Sequence, residues 1–202
     1  MREPAADMLR TQTVLLAFAA LLALLAAGLI AYLASEPSSP PPASAAIGGP
    51  FVLTDQDGAT VSDRHFRGRY VLLYFGYSYC PDVCPTTLQN MADALAKLGP
   101  EAGEIVPVFI TIDPERDTSS VLRRYVRAFG PRFVGLTGSL ASITAVAHAY
   151  RVYFAKHPMP GGGYSVDHSS AIYLLGPDGN LVTVFDAGDN AATLASELKA
   201  RV

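Results

Sequence analysis

Residues 70–85 read Tyr-Val-Leu-Leu-Tyr-Phe-Gly-Tyr-Ser-Tyr-Cys-Pro-Asp-Val-Cys-Pro, and the fold is decided there. Tyr70 to Phe75 is apolar throughout, as expected of a central strand buried on both faces. Gly76 to Cys84 is expected to turn. Pro85 then takes the first helical position, where its missing N–H costs nothing. Leu88, Met91, Leu95 and Leu98 follow at helical spacing, and Gly99-Pro100 stops the helix. Cys80 and Cys84 are the only cysteines of the chain. Two thiols in one strand-to-helix turn point to redox chemistry, to a soft metal, or to both. A structural disulfide is the plain alternative, but so short a loop constrains little chain entropy.

Outward from this stretch, strand and helix patterns alternate. Asp57-Gly58 lies between Phe51–Thr54 and Thr60-Val61 and signals a hairpin. Ile105 to Ile112 reads as a second buried strand, followed by a loop over Asp113–Asp117 and a helix from about Thr118 to Phe129. A short strand Phe133–Leu136, a helix Leu140–Tyr150 and a strand Val152–Phe154 come next. A long loop holding Gly161-Gly162-Gly163 leads to a strand Ala171–Leu175. Gly176–Asn180 is a tight turn into Leu181–Phe185, and a last helix covers Ala191 to Arg201. The expected fold class is α/β: a mixed sheet flanked by helices. A dithiol turn between a long strand and a helix matches the thioredoxin arrangement.

Toward the N-terminus, Val14 to Leu33 is uncharged and long enough to span a bilayer as one transmembrane helix. Arg2 and Arg10 precede it, so the positive-inside rule places residues 1–13 in the cytoplasm. A cleaved signal peptide is the competing reading, but its apolar core would run to only ~7–15 residues. Ala43-Ser44-Ala45 resembles a cleavage site but lies well past the apolar run. Residues 34–50, rich in Pro, Ser and Ala, read as a semi-rigid tether. Residues 51–202 are then an exported domain, large enough to bury a core without staples. The net charge of −3 says little about partners, and no basic stripe suggests nucleic acid.

Cys84 is expected at the helix N-terminus, where unpaired N–H groups and the helix dipole would lower its pKa. Two thiolates leave a coordination site incomplete, so a third ligand is needed, and the histidines are the candidates. His65 lies in a polar stretch, His148 in mid-helix and His157 in a proline-rich turn. His168 ends the long loop and leads into the Ala171–Leu175 strand, and in a thioredoxin-like sheet the loop before that strand abuts the dithiol turn. It is either the nitrogen ligand of a two-sulfur, one-nitrogen site or a turn histidine that caps the strand. Asp167 would be its hydrogen-bond partner. Asp113 and Asp117 invite a hard-metal reading, but Pro114 after a strand and Asp117 before a helix suit a turn and an N-cap better. Asp82 is a turn former, a group behind the ligands, or a partner contact.

Three segments together carry a resemblance: Tyr74 to Pro85, Thr111 to Asp117, and Tyr164 to Ser169. With them the chain, from its apolar segment onward, resembles the Sco/SenC family of membrane-anchored copper chaperones. The resemblance implies a thioredoxin-like fold with inserted elements, and copper, as Cu(I) or Cu(II), bound through Cys80, Cys84 and His168. It implies delivery of copper to the dinuclear copper A centre of cytochrome c oxidase subunit II, or reduction of that subunit's cysteines. An upstream periplasmic copper donor would be a second partner. The implied location is the inner membrane of a bacterium, crossed once, with the C-terminal domain in the periplasm. Many relatives have a histidine before the first cysteine, where this chain has Tyr79.

The alternative from another class is a metal-independent thiol–disulfide oxidoreductase or peroxidase using Cys80 and Cys84. A dithiol oxidoreductase of this fold generally carries a cis-proline beside its cysteines, whereas Asp167-His168 stands at the corresponding loop here. The two activities are compatible, because a Cys80–Cys84 disulfide would abolish the metal site and let redox poise gate copper loading.

Overall fold

The computed structural model describes residues 47–202, together with 18, 20–22 and 24–29. The chain divides into two units, Met1–Ala45 and Ala46–Val202. The described residues of the first unit are helical, with Phe18, Leu21, Leu22, Leu24, Leu25 and Leu29 exposed. The rest of the expected span Val14–Leu33, and most of the tether, lie outside the described residues. Among the described residues no helix is long and apolar enough to cross a membrane.

The second unit is built on a seven-stranded mixed sheet. Its strands are β1 (Val52–Asp55), β2 (Thr60–Ser62), β3 (Tyr70–Gly76), β4 (Ile105–Thr111), β5 (Val134–Thr137), β8 (Ala171–Leu175) and β9 (Leu181–Asp186), in the order β2-β1-β5-β4-β3-β8-β9. A separate antiparallel pair is made by β6 (Phe154–Pro158) and β7 (Tyr164–His168). The helices are α1 (Val83–Leu98), α2 (Ser119–Arg127), α3 (Leu140–Ala149) and α4 (Ala191–Lys199).

The longest apolar runs of the sequence form the centre of the sheet. β3 runs parallel to β4, with Tyr70 opposite Ile105, and antiparallel to β8, with Tyr74 opposite Ile172. Leu72, Tyr74, Ile105, Val108, Phe109 and Ile110 are completely buried. Each aliphatic side chain so buried contributes about 1.5–3 kcal/mol. β5 joins β4 from Val108 onward, one residue past Pro107, whose missing donor therefore has no β5 residue opposite. α1 packs against α4, with Leu88, Met91 and Leu95 inward as their spacing requires. α2 lies close on β5: a Cβ at Gly135 would sit 3.0 Å from Val126 Cγ1 and 3.3 Å from Leu122 Cβ, tighter than ordinary contact.

The long loop expected after Phe154 is instead mostly the β6–β7 hairpin. Phe154 pairs with His168 and Pro158 with Tyr164, and Gly161 to Gly163 make the turn with positive φ. His168 is thus the last residue of a strand, and Val152-Tyr153 precede β6 rather than belong to it.

Candidate metal centre

The dithiol turn leaves the end of β3 and is tied down from two sides. Cys80 N–H donates to Tyr77 O at 3.2 Å. The carboxylate of Asp117 accepts from Ser78 N–H at 2.9 Å, from the Ser78 hydroxyl, and from the Thr111 hydroxyl at 2.6 Å. Asp117 is buried and works as an anchor for this turn; the α2 N-cap is Thr118, not the Asp117 expected from the sequence. α1 begins at Val83, two residues ahead of Pro85, so Cys84 lies inside its first turn. Pro85 is then the third helical residue, still among those whose N–H has no helical partner. Asp82 occupies the N-cap without a side-chain capping bond and is exposed.

Cys84 is fully buried and Cys80 half-buried, and both are free thiols. Cys84 N–H donates to Cys80 Sγ at 3.4 Å, and the Tyr74 hydroxyl lies 3.9 Å from Cys84 Sγ. The expected fall in the Cys84 pKa is not found. Burial pushes this thiol well above its ordinary value, and the neighbouring Cys80 adds to the effect. Removing a thiolate from water costs more than half a unit charge at a helix end returns.

His168 reaches the same point from the hairpin. Its Nε2 lies 3.4 Å from Cys84 Sγ. Tyr74 and Tyr77 pack on its ring in T-shaped pairs, with centroids 6.3 and 6.0 Å away. Its Nδ1 is 3.0 Å from Ser169 O, and a carbonyl can only accept, so Nδ1 carries the proton and Nε2 presents its lone pair to the sulfurs. Burial lowers the His168 pKa, which favours this neutral ring. The ligand atoms of Cys80, Cys84 and His168 all lie within 4.8 Å of one another. Asp167 is not the partner of His168: successive side chains of a strand alternate, and Asp167 points to the other face, where it pairs with His157 at 3.2 Å.

The remaining candidates fall away from this point. His65 is exposed and accepts from Ser62 N–H, and His148 is exposed on α3. Asp113 is buried against Arg116 and accepts from the Tyr164 hydroxyl at 2.7 Å. Tyr74, Tyr77, Arg116 and Tyr164 surround the site without being marked as site residues by any spacing in the sequence; the only signal there is the density of tyrosine around the cysteines.

The SCO1/SenC family model matches residues 39–202. The Arabidopsis thaliana mitochondrial SCO1 homolog 1 is 42% identical over 156 residues, covering 77% of this chain and 47% of that protein. The chain spans about half the length of the curated relatives it matches. The crystal structure of Arabidopsis thaliana ScoI with copper bound has a TM-score of 0.73 at 42% identity, covering 76% of this chain and 96% of that one. The structure of Bradyrhizobium japonicum ScoI with copper bound has a TM-score of 0.72 at 42% identity, covering 78% of this chain and 100% of that one.

Proposed function

This chain belongs to the SCO1/SenC family, and on that premise we propose that it is a membrane-anchored copper chaperone. It delivers copper to the dinuclear copper A site of cytochrome c oxidase subunit II, or keeps the thiols of that site reduced. Similarity to relatives whose solved structures have copper bound supports the choice of metal. The observation that carries the proposal is the convergence of two thiol sulfurs and an imidazole lone pair within 4.8 Å.

Copper is the cargo, held by Cys80, Cys84 and His168. Thiolate sulfur suits Cu(I), and imidazole suits Cu(II). The buried Cys84 thiol is protonated in the metal-free protein, so loading displaces its proton. The imidazole nitrogen of His168, 3.4 Å from Cys84 Sγ, favours a metal site over the metal-independent oxidoreductase reading.

Residues 14–33 form the anchor and 34–50 the tether in this reading. The exposed apolar side chains of Phe18, Leu21, Leu22, Leu24, Leu25 and Leu29 support it, since such side chains are at home in lipid rather than water. The domain then faces the periplasm of a bacterium, where an upstream donor loads it.

Two measurements test the proposal: copper analysis of the reduced full chain, and copper A assembly in cells lacking their own copy of the gene. A single bound copper ion and restored assembly are expected. A reduced chain that holds no copper, or that binds copper but leaves the oxidase centre empty, overturns it. A mature N-terminus near Ser44 would refute the anchor separately.

A further inference from the structure

One guanidinium contacts both segments that carry the donor set, the dithiol turn and the hairpin. Arg116 lies in the loop between β4 and α2, and its Nε donates to the buried carboxylate of Asp113. Its Nη1 donates to Tyr164 O at 3.0 Å, and its Cζ lies 3.8 Å from the centroid of the Tyr164 ring. The same group is 4.8 Å from the ring of Tyr79 and 5.6 Å from that of Tyr77. Tyr164 opens β7, the strand that ends on His168, and Tyr79 immediately precedes Cys80.

The hairpin needs such a holder. β6 and β7 pair only with each other, outside the main sheet, and an isolated two-stranded hairpin is marginal in water. The position of His168 therefore depends on what docks the hairpin. The Tyr164 hydroxyl donates to Asp113 at 2.7 Å, and Lys156 of β6 reaches Glu115 at 2.7 Å. Val166 N–H donates to the Tyr77 hydroxyl at 3.4 Å. A planar guanidinium can lie flat on aromatic rings while its edge donates to a carboxylate and a carbonyl at once; an ammonium has no such plane or fork.

We propose that Arg116, seated on Asp113 and stacked between Tyr79 and Tyr164, is a clasp that docks the β6–β7 hairpin on the dithiol turn and so sets the position of His168 against Cys80 and Cys84. Its effect on metal rests on the copper-site reading above; the docking does not. Arg116 is a positioning residue and touches no metal. Loosening the clasp withdraws the nitrogen donor and leaves the two sulfurs in place.

The test uses the reduced full chain carrying Arg116→Lys or Tyr79→Ala. The first keeps a cation beside Asp113. The second removes an exposed ring and leaves the Asp113–Arg116 pair intact. Amide exchange of the metal-free protein is read at Val166, whose hydrogen goes to Tyr77, and at Leu73 in β3 as a control for global stability. Exchange at Val166 should rise in Arg116→Lys, and less in Tyr79→Ala, with Leu73 unchanged. Cu(II) affinity should fall about ten-fold in Arg116→Lys, the low end for loss of a group that orients a ligand. In a His168→Ala background the same substitution should cost nothing further. Unchanged Val166 exchange in Arg116→Lys, or an equal loss of affinity in the His168→Ala background, overturns the clasp. If the wild-type chain holds no copper, the copper-site reading fails while Val166 exchange still decides the docking.

Discussion

Cys84 Sγ and His168 Nε2 meet at 3.4 Å across 84 residues of sequence. The thiol comes from the first turn of α1 and the imidazole from the end of a hairpin outside the main sheet. Because Nδ1–H is committed to Ser169 O, the metal-free contact is an S–H donating to a neutral imidazole. A metal ion held by both sulfurs would displace this proton and that of the Cys80 thiol, at a donor set already gathered within 4.8 Å.

His168→Ala should therefore separate the two oxidation states. It leaves two sulfurs, which Cu(I) tolerates, and removes the imidazole that Cu(II) favours. Cu(II) affinity should drop by ~10–100-fold or more, since loss of a ligand costs at least as much as loss of its support. Competition titrations with each ion measure this. The variant should keep its fold and still oxidise to a disulfide, yet fail to restore oxidase assembly. Normal assembly with His168→Ala, alongside failure of Cys80→Ser and Cys84→Ser, would make the dithiol the working part.

Copper retention should follow the redox state of the pair. The reduced chain binds one copper ion, and the Cys80–Cys84 disulfide binds none, because the bond consumes both sulfurs. Metal analysis before and after complete oxidation reads this directly. Equal copper content in both forms sinks the gate.

Much of the site is legible in the sequence because its signals are local. The only two cysteines, an unbroken apolar run before them and a proline behind them define strand, turn and helix without tertiary information. Among the four histidines the sequence singles out His168, but only as a ligand or a turn histidine, and it is the family resemblance that implies the ligand. The hairpin is not legible: Ala155-Lys156-His157-Pro158 has no apolar period, since a strand that buries so little needs none. Once β7 is known to be a strand, alternation alone places Asp167 away from His168. The direction of the Cys84 shift escapes the sequence for a different reason. Helix position is written in the residues, whereas full burial under Tyr74 and Tyr77 emerges only from packing.

Gly76→Ala should damage the site through packing alone. An added Cβ would lie 2.8 Å from Cys84 Sγ, 3.0 Å from Phe109 Cε2 and 3.2 Å from Tyr74 Cε1. None of these can yield easily, because Phe109 and Tyr74 are completely buried. Overpacking of this kind costs about 1–3 kcal/mol. The denaturant midpoint should fall and copper affinity should fall with it as the thiol is pushed aside. A variant with the wild-type midpoint and affinity would show that the turn has slack.

Asp117 should make stability depend on pH in a direction opposite to most carboxylates. Its pKa lies above the ordinary value, first because it is buried and further because Asp113 is close; the bonds from Ser78 and Thr111 offset this only in part, and Arg116 is the nearby cation. An acid whose folded pKa exceeds its unfolded one keeps a proton that the unfolded chain has already lost. Its stabilising contribution is full below the unfolded value of about 3.9 and is lost as pH rises through the folded pKa. Asp117→Asn cannot titrate, so the difference between wild type and variant isolates the effect. Denaturant melts of the reduced, metal-free full chain at matched salt should show wild type losing ground to Asp117→Asn as pH rises from about 4 to about 7, the window above the unfolded value. A difference that stays flat, or that grows in favour of wild type, would mean that the three hydrogen bonds to the carboxylate outweigh its burial.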